Sequence, residues 1–174
     1  MRLFFGLPLP ADAGQTLSGW QADVFAGAAG VRIVSPEHLH FTLAFLGSRP
    51  AGELAALGGV LREAAAGMKL PALTVTRYRE TERVAMLVLD DEDSRAGLLQ
   101  ARLSERLEQL GAYRPERRPW LAHLTVARFG RRPGLRPALP ELGPVSPSEA
   151  ALYHSVLRPS GAQYDIVESV ALGG

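Results

Sequence analysis

The sequence predicts an α+β protein with two pseudo-symmetric lobes, in which mostly antiparallel sheets surround a central cleft and the helices lie outside. Helical and strand segments mix without strict alternation, and most strand segments alternate apolar and polar residues, which favours antiparallel sheets. Two strand segments of matching pattern also lie 83 residues apart in a chain of 174 residues. This spacing favours an arrangement in which each lobe contributes one such strand to the cleft.

The size and composition of the chain limit the possible classes of protein. With 174 residues and 47% hydrophobic content, we expect a single two-lobed domain spanning residues 1–174. The absence of cysteine excludes disulfides, thiolate metal ligands and a cysteine nucleophile. No apolar run approaches the roughly 18 residues of a membrane span, and Pro8 follows the apolar start too early for a signal peptide. We therefore expect a monomeric, cytoplasmic protein.

Three segments have the apolar spacing of helices, and eight have the pattern of strands. The predicted helices are residues 11–26, 52–66 and 95–110. Ser94 is a candidate N-cap for the third helix, and Gly111 is a candidate C′ residue that ends it. The predicted strands are residues 2–7, 31–34, 39–46, 72–78, 84–89, 120–129, 149–157 and 164–172, and the stretch 131–147, rich in Pro and Gly, is predicted to be mostly loop.

Two of the predicted strands carry a His-x-Thr-x tetrad, one beginning at His40 and the other at His123. In an extended strand, residues i and i+2 project from the same face about 7 Å apart. His40 therefore shares a face with Thr42, and His123 shares a face with Thr125. The apolar residues of the opposite faces are predicted to point inward: Leu39, Phe41, Leu43, Phe45, Ala122, Leu124 and Val126.

Two such strands side by side would supply the groups needed to split a phosphodiester without a metal ion. Two imidazoles can act as acid and base near neutral pH, and two hydroxyls can donate to the non-bridging phosphate oxygens. For one isolated tetrad, an ordinary polar strand face would be the better interpretation. The recurrence of the pattern in two equivalent strands favours the catalytic interpretation.

Arginine is concentrated in one part of the chain. Residues 112–137 contain seven arginines and one acid, Glu116, whereas the net charge of the whole chain is only +1. This excess indicates phosphate recognition, because guanidinium groups stay charged and offer several donors. A solvated loop face is the alternative interpretation. The seven residues are Arg114, Arg117, Arg118, Arg128, Arg131, Arg132 and Arg136.

Four blocks of sequence carry a resemblance that runs essentially from end to end of the chain. They are residues 2–10, 36–47, 118–128, and 152–155 followed by 161–164. In content, order and spacing they resemble the RNA 2′,3′-cyclic 3′-phosphodiesterases of bacteria and archaea, also called 2′-5′ RNA ligases, within the two-histidine phosphoesterase superfamily. The resemblance implies a two-lobed α+β fold with a positively charged, water-filled cleft.

The same resemblance implies an activity and roles for five residues. The expected reaction converts RNA 2′,3′-cyclic phosphate ends to 2′-phosphate ends, with possible joining of RNA through 2′-5′ linkages. His40 is expected to be the proton donor and His123 the proton acceptor, while Thr42, Thr125 and Arg128 bind the phosphate. The expected partner is RNA with such an end, or a nucleotide, and no membrane, metal or other cofactor is expected.

Arg128 and several aromatic residues are weaker candidates. Arg128 lies five residues after His123, an odd offset that would turn it to the opposite face unless the strand bulges or ends there. Phe5 and Tyr153 are candidates for stacking on an RNA base, with packing in the core as the alternative for each. Trp120 and Tyr78 are open to the same two interpretations.

The other two histidines are not predicted to be catalytic. The resembled family has Asn at the position of His38 and often Arg at that of His154. His38 with His40 could be proposed as metal ligands, but nothing in the sequence supplies the remaining ligands.

Two other classes of function stay open from the sequence. A non-catalytic nucleotide-binding module of the same fold would bind a mononucleotide without turnover, and a structural RNA-binding protein would rely on the arginines. The presence of both complete tetrads favours the enzyme.

Overall fold

Two four-stranded antiparallel sheets form the molecule, which a computed structural model describes over residues 1–174. The first sheet contains β1 (Arg2–Pro8), β3 (His40–Ser48), β7 (Glu149–Arg158) and β8 (Gly161–Ala171), in the order β3-β1-β7-β8. The second contains β2 (Val31–Ile33), β4 (Ala72–Glu80), β5 (Val84–Glu92) and β6 (His123–Phe129), in the order β2-β6-β5-β4. The helices are α1 (Ala11–Val24), α2 (Leu54–Ala65) and α3 (Arg95–Gln109). The predicted α+β class with antiparallel sheets is confirmed.

One hydrophobic core joins the sheets to the helices. It contains 33 buried residues, which come from both sheets and from all three helices. Helix α2 packs against β7 and β8, and α3 contacts β3 and β5, so this core covers one face of the sheets. The tetrads point away from it. No helix has both the length and the apolar character needed to cross a membrane.

Three strand bounds differ from the prediction by three residues, and the first of them is the end of β5, which extends to Glu92 rather than to residue 89. β6 begins at His123, because the preceding residues from Trp120 onward are not part of a ladder. β8 begins at Gly161, which pairs with Arg158 of β7, so the turn between them contains only Pro159 and Ser160. The hairpin is therefore longer and tighter than its sequence pattern indicated.

Helix α3 begins at Arg95, as predicted, but another side chain caps it. Ser94 makes no capping hydrogen bond through its side chain, and its backbone is left-handed with φ of 54°. The carboxylate of Asp91 caps the helix instead, accepting from the N–H groups of Ala96 at 3.1 Å and Gly97 at 2.7 Å. Ser94 occupies the predicted N-cap position, but its side chain does not cap the helix, because Asp91 accepts from these donors. Gly111 follows the helix with φ of 69°, as predicted.

A bulge in β3 changes which of its side chains face the core. Thr42 and Ala44 pair with consecutive residues of β1, so Leu43 is an extra residue in the ladder. A bulge of this kind reverses the alternation of faces beyond it. The predicted inward position of Phe45 is therefore wrong: its side chain is 47% exposed, and Ala44 is buried in its place.

A second bulge, in β6, decides where Arg128 points. Thr125 and Ala127 pair with consecutive residues of β5, so Val126 is the extra residue. Val126 and Ala127 are both buried although they are neighbours, and Arg128 is exposed. Arg128 consequently returns to the face of the strand that carries His123 and Thr125. The strand break that a role for Arg128 requires is present.

A buried glutamine of α1 supports the bulge in β6. Gln21 has 0% exposure, and its Nε2 donates to the backbone carbonyls of Val34 at 2.9 Å and Val126 at 2.8 Å. The N–H of Val34 also donates to the Val126 carbonyl at 3.0 Å. The bulged residue thus has its carbonyl satisfied from two sides, which keeps this irregular backbone stable inside the core.

We predict that Gln21→Leu lowers the free energy of unfolding by about 1–3 kcal/mol, because it removes a hydrogen-bond donor from the backbone carbonyls of Val34 and Val126. Urea denaturation measures this loss. Gln15→Leu is the matched control, since Gln15 lies on the same helix with an exposed side chain. Equal stability of the two variants would contradict the role given to Gln21.

Candidate active site

Both tetrads open into one small pocket. His40 and Thr42 come from β3 of the first sheet, and His123 and Thr125 come from β6 of the second. The structure brings all four together with Arg128, so the five residues predicted to act on phosphate share one site. The pocket has a volume of about 50 Å³ and is lined by Val34, His38, His40, Thr42, His123, Thr125, Arg128 and Tyr164.

A hydrogen bond between the sheets holds the two tetrad strands side by side. The indole Nε1–H of Trp120 donates to the backbone carbonyl of Thr42 at 2.9 Å. Trp120 lies three residues before His123, and its ring packs against the hydrophobic core. Its ring therefore belongs to the packing that joins the sheets, which is the core interpretation rather than the base-stacking one.

Each tetrad imidazole is oriented by a backbone carbonyl two residues earlier. The Nδ1 of His40 lies 2.7 Å from the carbonyl oxygen of His38, and that of His123 lies 2.9 Å from the carbonyl oxygen of Leu121. A carbonyl only accepts hydrogen bonds, so both Nδ1 atoms carry a proton. The Nε2 of each ring is left to accept a proton when the ring is neutral and to donate one when it is charged.

His40 lies among aromatic rings. The ring centroids of Phe4, Tyr164 and Tyr153 lie 4.8, 5.1 and 5.5 Å from that of the imidazole. Burial lowers the pKa of His40 from 6.5 to about 4, the carbonyl of His38 opposes the shift, and the positive charge of Arg128 adds to it. In the free protein His40 is therefore the neutral imidazole at neutral pH.

A larger cavity adjoins the pocket along the first sheet. Its volume is about 380 Å³, and His40, Thr42 and Arg128 line it as well. Phe45 and Tyr164 add aromatic surface. Guanidinium groups together with aromatic rings suit a phosphate and a nucleobase. The cavity has no acidic lining residue, and its arginines are Arg2, Arg32, Arg128 and Arg158.

The structure changes the candidates for base stacking. Phe5 has 0% exposure and belongs to the core, so its predicted stacking role is wrong. Tyr153 is 5% exposed and stacks on Phe4, with 4.7 Å between centroids and 7° between planes, so one face of its ring is covered. Phe4 and Tyr164 line the cavity and were not predicted. Strand alternation could have found Phe4, because neighbours in a strand point to opposite faces.

The other two histidines have different surroundings. His38 lines the pocket, and its Nδ1 lies 3.3 Å from Oγ of Ser35. His154 lines neither the pocket nor the adjoining cavity. No group of three or more His, Asp or Glu side chains is arranged to hold a metal ion.

Comparison with known proteins identifies the family, which is one of phosphoesterases. The model of the LigT-like phosphoesterases matches residues 7–85. The chain is 30% identical to an RNA 2′,3′-cyclic phosphodiesterase of Methanothermobacter thermautotrophicus, over 97% of each chain. The protein belongs to the LigT-like phosphoesterase family.

Solved structures share the fold over its whole length. TT0787 of Thermus thermophilus superposes with a TM-score of 0.86 at 28% identity, covering 100% of this chain and 99% of that one. Escherichia coli LigT complexed with 3′-AMP has a TM-score of 0.83 at 26% identity, covering 99% of this chain and 98% of that one. The two-sheet arrangement is therefore that of the family.

The burial of His40 predicts a particular dependence of stability on pH. Its folded pKa of about 4 lies below the ordinary 6.5, so between these values the unfolded chain binds more protons than the folded one. This contribution makes the protein less stable as the pH falls from 6.5 to 4. We expect urea denaturation to show a smaller loss for His40→Gln than for the wild type over this range. Identical pH dependence of the two proteins would contradict the prediction.

Proposed function

We propose that the protein hydrolyses the 2′,3′-cyclic phosphate ends of RNA to 2′-phosphate ends, without a metal ion. Membership in the family supports the reaction class, and the name of the Methanothermobacter relative supports the substrate. The strongest support is the single pocket that contains two imidazoles, two hydroxyls and a guanidinium. Hydrolysis of a singly charged cyclic phosphodiester requires two groups that move protons, donors for the two non-bridging oxygens and a positive charge. The pocket contains all of these groups.

In this proposal three side chains bind the phosphate. Thr42 and Thr125 donate hydrogen bonds to its two non-bridging oxygens, and Arg128 offsets the charge that builds up as water adds. The bulge at Val126 supports this role for Arg128, because it places the guanidinium on the face of β6 that carries His123. The developing negative charge is stabilised by groups already in position, and stabilisation of this kind is usually the largest single contribution to catalysis.

The two imidazoles move the protons. His123 removes a proton from water through Nε2 while the water oxygen forms a bond to phosphorus. The bond from phosphorus to the 3′ oxygen breaks, and His40 gives that oxygen the proton on its Nε2. The products are a 3′-hydroxyl and a 2′-phosphate, and a proton returned from His123 to His40 through solvent restores the starting state. The Nδ1 hydrogen bonds to backbone support these roles, because they hold each ring in one orientation.

The low pKa of His40 couples its protonation to substrate binding. A proton donor must enter the reaction charged, whereas His40 is neutral in the free protein. A bound phosphate brings a negative charge beside the imidazole, and an opposite charge raises the pKa of a histidine. We therefore expect His40 to take up a proton as the RNA end binds.

The same groups would also join two RNA ends. A 5′-hydroxyl that takes the place of water would lose its proton to His123 and attack the cyclic phosphate. With the 3′ oxygen as the leaving group again, the product is a 2′-5′ linkage. Because the linkage forms at the same phosphorus, it can also be reversed by the same pair of histidines.

We predict that His40→Ala and His123→Ala each lower kcat by about 100-fold or more, because acid–base groups contribute roughly 10²–10⁴-fold to rates. The substrate is an RNA oligonucleotide ending in a 2′,3′-cyclic phosphate, incubated in EDTA, and chromatography against standards identifies the product. His154→Ala is the control, since this histidine lies outside the pocket. Full activity of either tetrad variant, loss of wild-type activity in EDTA, or a 3′-phosphate product would contradict the proposal, and binding without turnover would identify a non-catalytic module.

A further inference from the structure

Two arginines of the edge strand β4 lie outside the pocket and are not used by the proposed reaction. Arg77 and Arg79 are exposed, and neither takes part in any of the five ion pairs of the chain. Unpaired guanidinium groups keep their full capacity to bind an anion. Neither residue lies in the arginine-rich stretch that the sequence singled out.

The strand register places these arginines on the same face as the second tetrad. Arg77 pairs with Val88 of β5, which pairs with His123. Arg79 pairs with Met86 of β5, which pairs with Thr125. Directly paired residues of antiparallel strands point to the same side of the sheet.

The distance between the arginines and the tetrad follows from the same register. Two strand spacings of about 4.8 Å separate β4 from β6, which gives about 10 Å between the arginine and tetrad backbones. In a stacked nucleic acid strand, nucleotides rise by about 3.4 Å each. An RNA chain that crosses β5 would thus bring to the arginines a phosphate that lies one to three nucleotides away from its reacting end.

The surroundings of the arginines are basic and open. They line a cavity of about 590 Å³ that also contains Arg132 and Arg136 from the loop after β6. Its one acid, Glu80, is buried and already accepts hydrogen bonds from Arg132 and from backbone N–H groups of that loop.

Few acidic residues lie on the face of β5 beside the arginines. Asp90 lies beyond Val88 on this strand, opposite Thr74 of β4, and it forms no ion pair with Arg77. Toward the other end of β5, Met86 is uncharged and partly exposed between Thr125 and Arg79. The path from the tetrad to Arg79 therefore crosses no acidic side chain.

We propose that Arg77 and Arg79 bind backbone phosphates of the RNA chain, one to three nucleotides away from the cyclic phosphate end. This inference rests on the proposed function, and it assigns the second sheet as the surface over which the body of the RNA runs. A mononucleotide has a single phosphate, and in this proposal the pocket binds it, so no phosphate is left for β4. The arginines therefore add affinity for RNA chains, without preference for their sequence, and add none for mononucleotides.

The test compares an RNA chain with a mononucleotide in the double variant Arg77→Ala/Arg79→Ala. Fluorescence anisotropy measures binding of a labelled octanucleotide ending in a 2′-phosphate, and competition measures binding of 2′-AMP. We expect the dissociation constant of the octanucleotide to rise about tenfold. The slope of the logarithm of the binding constant against the logarithm of the salt concentration should fall in magnitude by about 1.4, since each phosphate contact to a single strand contributes roughly 0.7. Binding of 2′-AMP should stay within about twofold of the wild type.

The matched control is Lys69→Ala/Arg102→Ala, which removes the same charge from residues that line no part of the cleft. Unchanged octanucleotide binding in the β4 variant, an equal loss for both ligands, or an equal loss in the control would overturn the inference. Hydrolysis of the same octanucleotide ending in a 2′,3′-cyclic phosphate is measured separately, in wild type and variant. If the wild type fails to hydrolyse it, the proposed function fails, while the binding comparison still decides the role of β4.

Discussion

The hydrogen bond from the indole of Trp120 to the backbone carbonyl of Thr42 is the contact on which the site depends. The two tetrads belong to different sheets, so no backbone hydrogen bond of a β-ladder joins the two tetrad strands. Trp120 joins the chain just before β6 to the middle of β3, and its partly buried ring packs against the hydrophobic core. Because its partner is a backbone atom, the bond sets the position of the strand itself, and with it the positions of His40 and His123.

Departures from regular strand geometry complete the site. Strict alternation would turn Arg128 toward the core, where an unpaired guanidinium has a prohibitive cost. The bulge at Val126 returns it to the tetrad face, and Gln21 satisfies the carbonyl that the bulge leaves inside the core. The bulge at Leu43 likewise moves Phe45 into the cavity. Irregular backbone of this kind recurs next to active sites, where it redirects a side chain that a regular strand would point elsewhere.

The predictable part of the fold and site consisted of features that repeat or alternate in sequence. The helices, most of the strands and the shared faces of the tetrads follow from the periodicity of apolar residues. The sequence also predicted that a role for Arg128 would need a bulge or a break in its strand. The pairing registers were not predictable, because no particular residue type marks the position of a bulge. For this reason the sequence predicted the wrong face for Phe45. The capping of α3 by Asp91 and the approach of Tyr164 to His40 depend on contacts between segments that no local pattern reports.

If His40 and His123 act as one acid–base pair, their contributions to catalysis are not independent. The most direct measurement is kcat/KM for adenosine 2′,3′-cyclic phosphate in the wild type, His40→Ala, His123→Ala and the variant with both changes. Removing either histidine should disable the pair, so the double variant is expected to lose about as much activity as the more impaired single variant. Losses that multiply in the double variant would show two independent contributions and would contradict a shared site built by the two sheets.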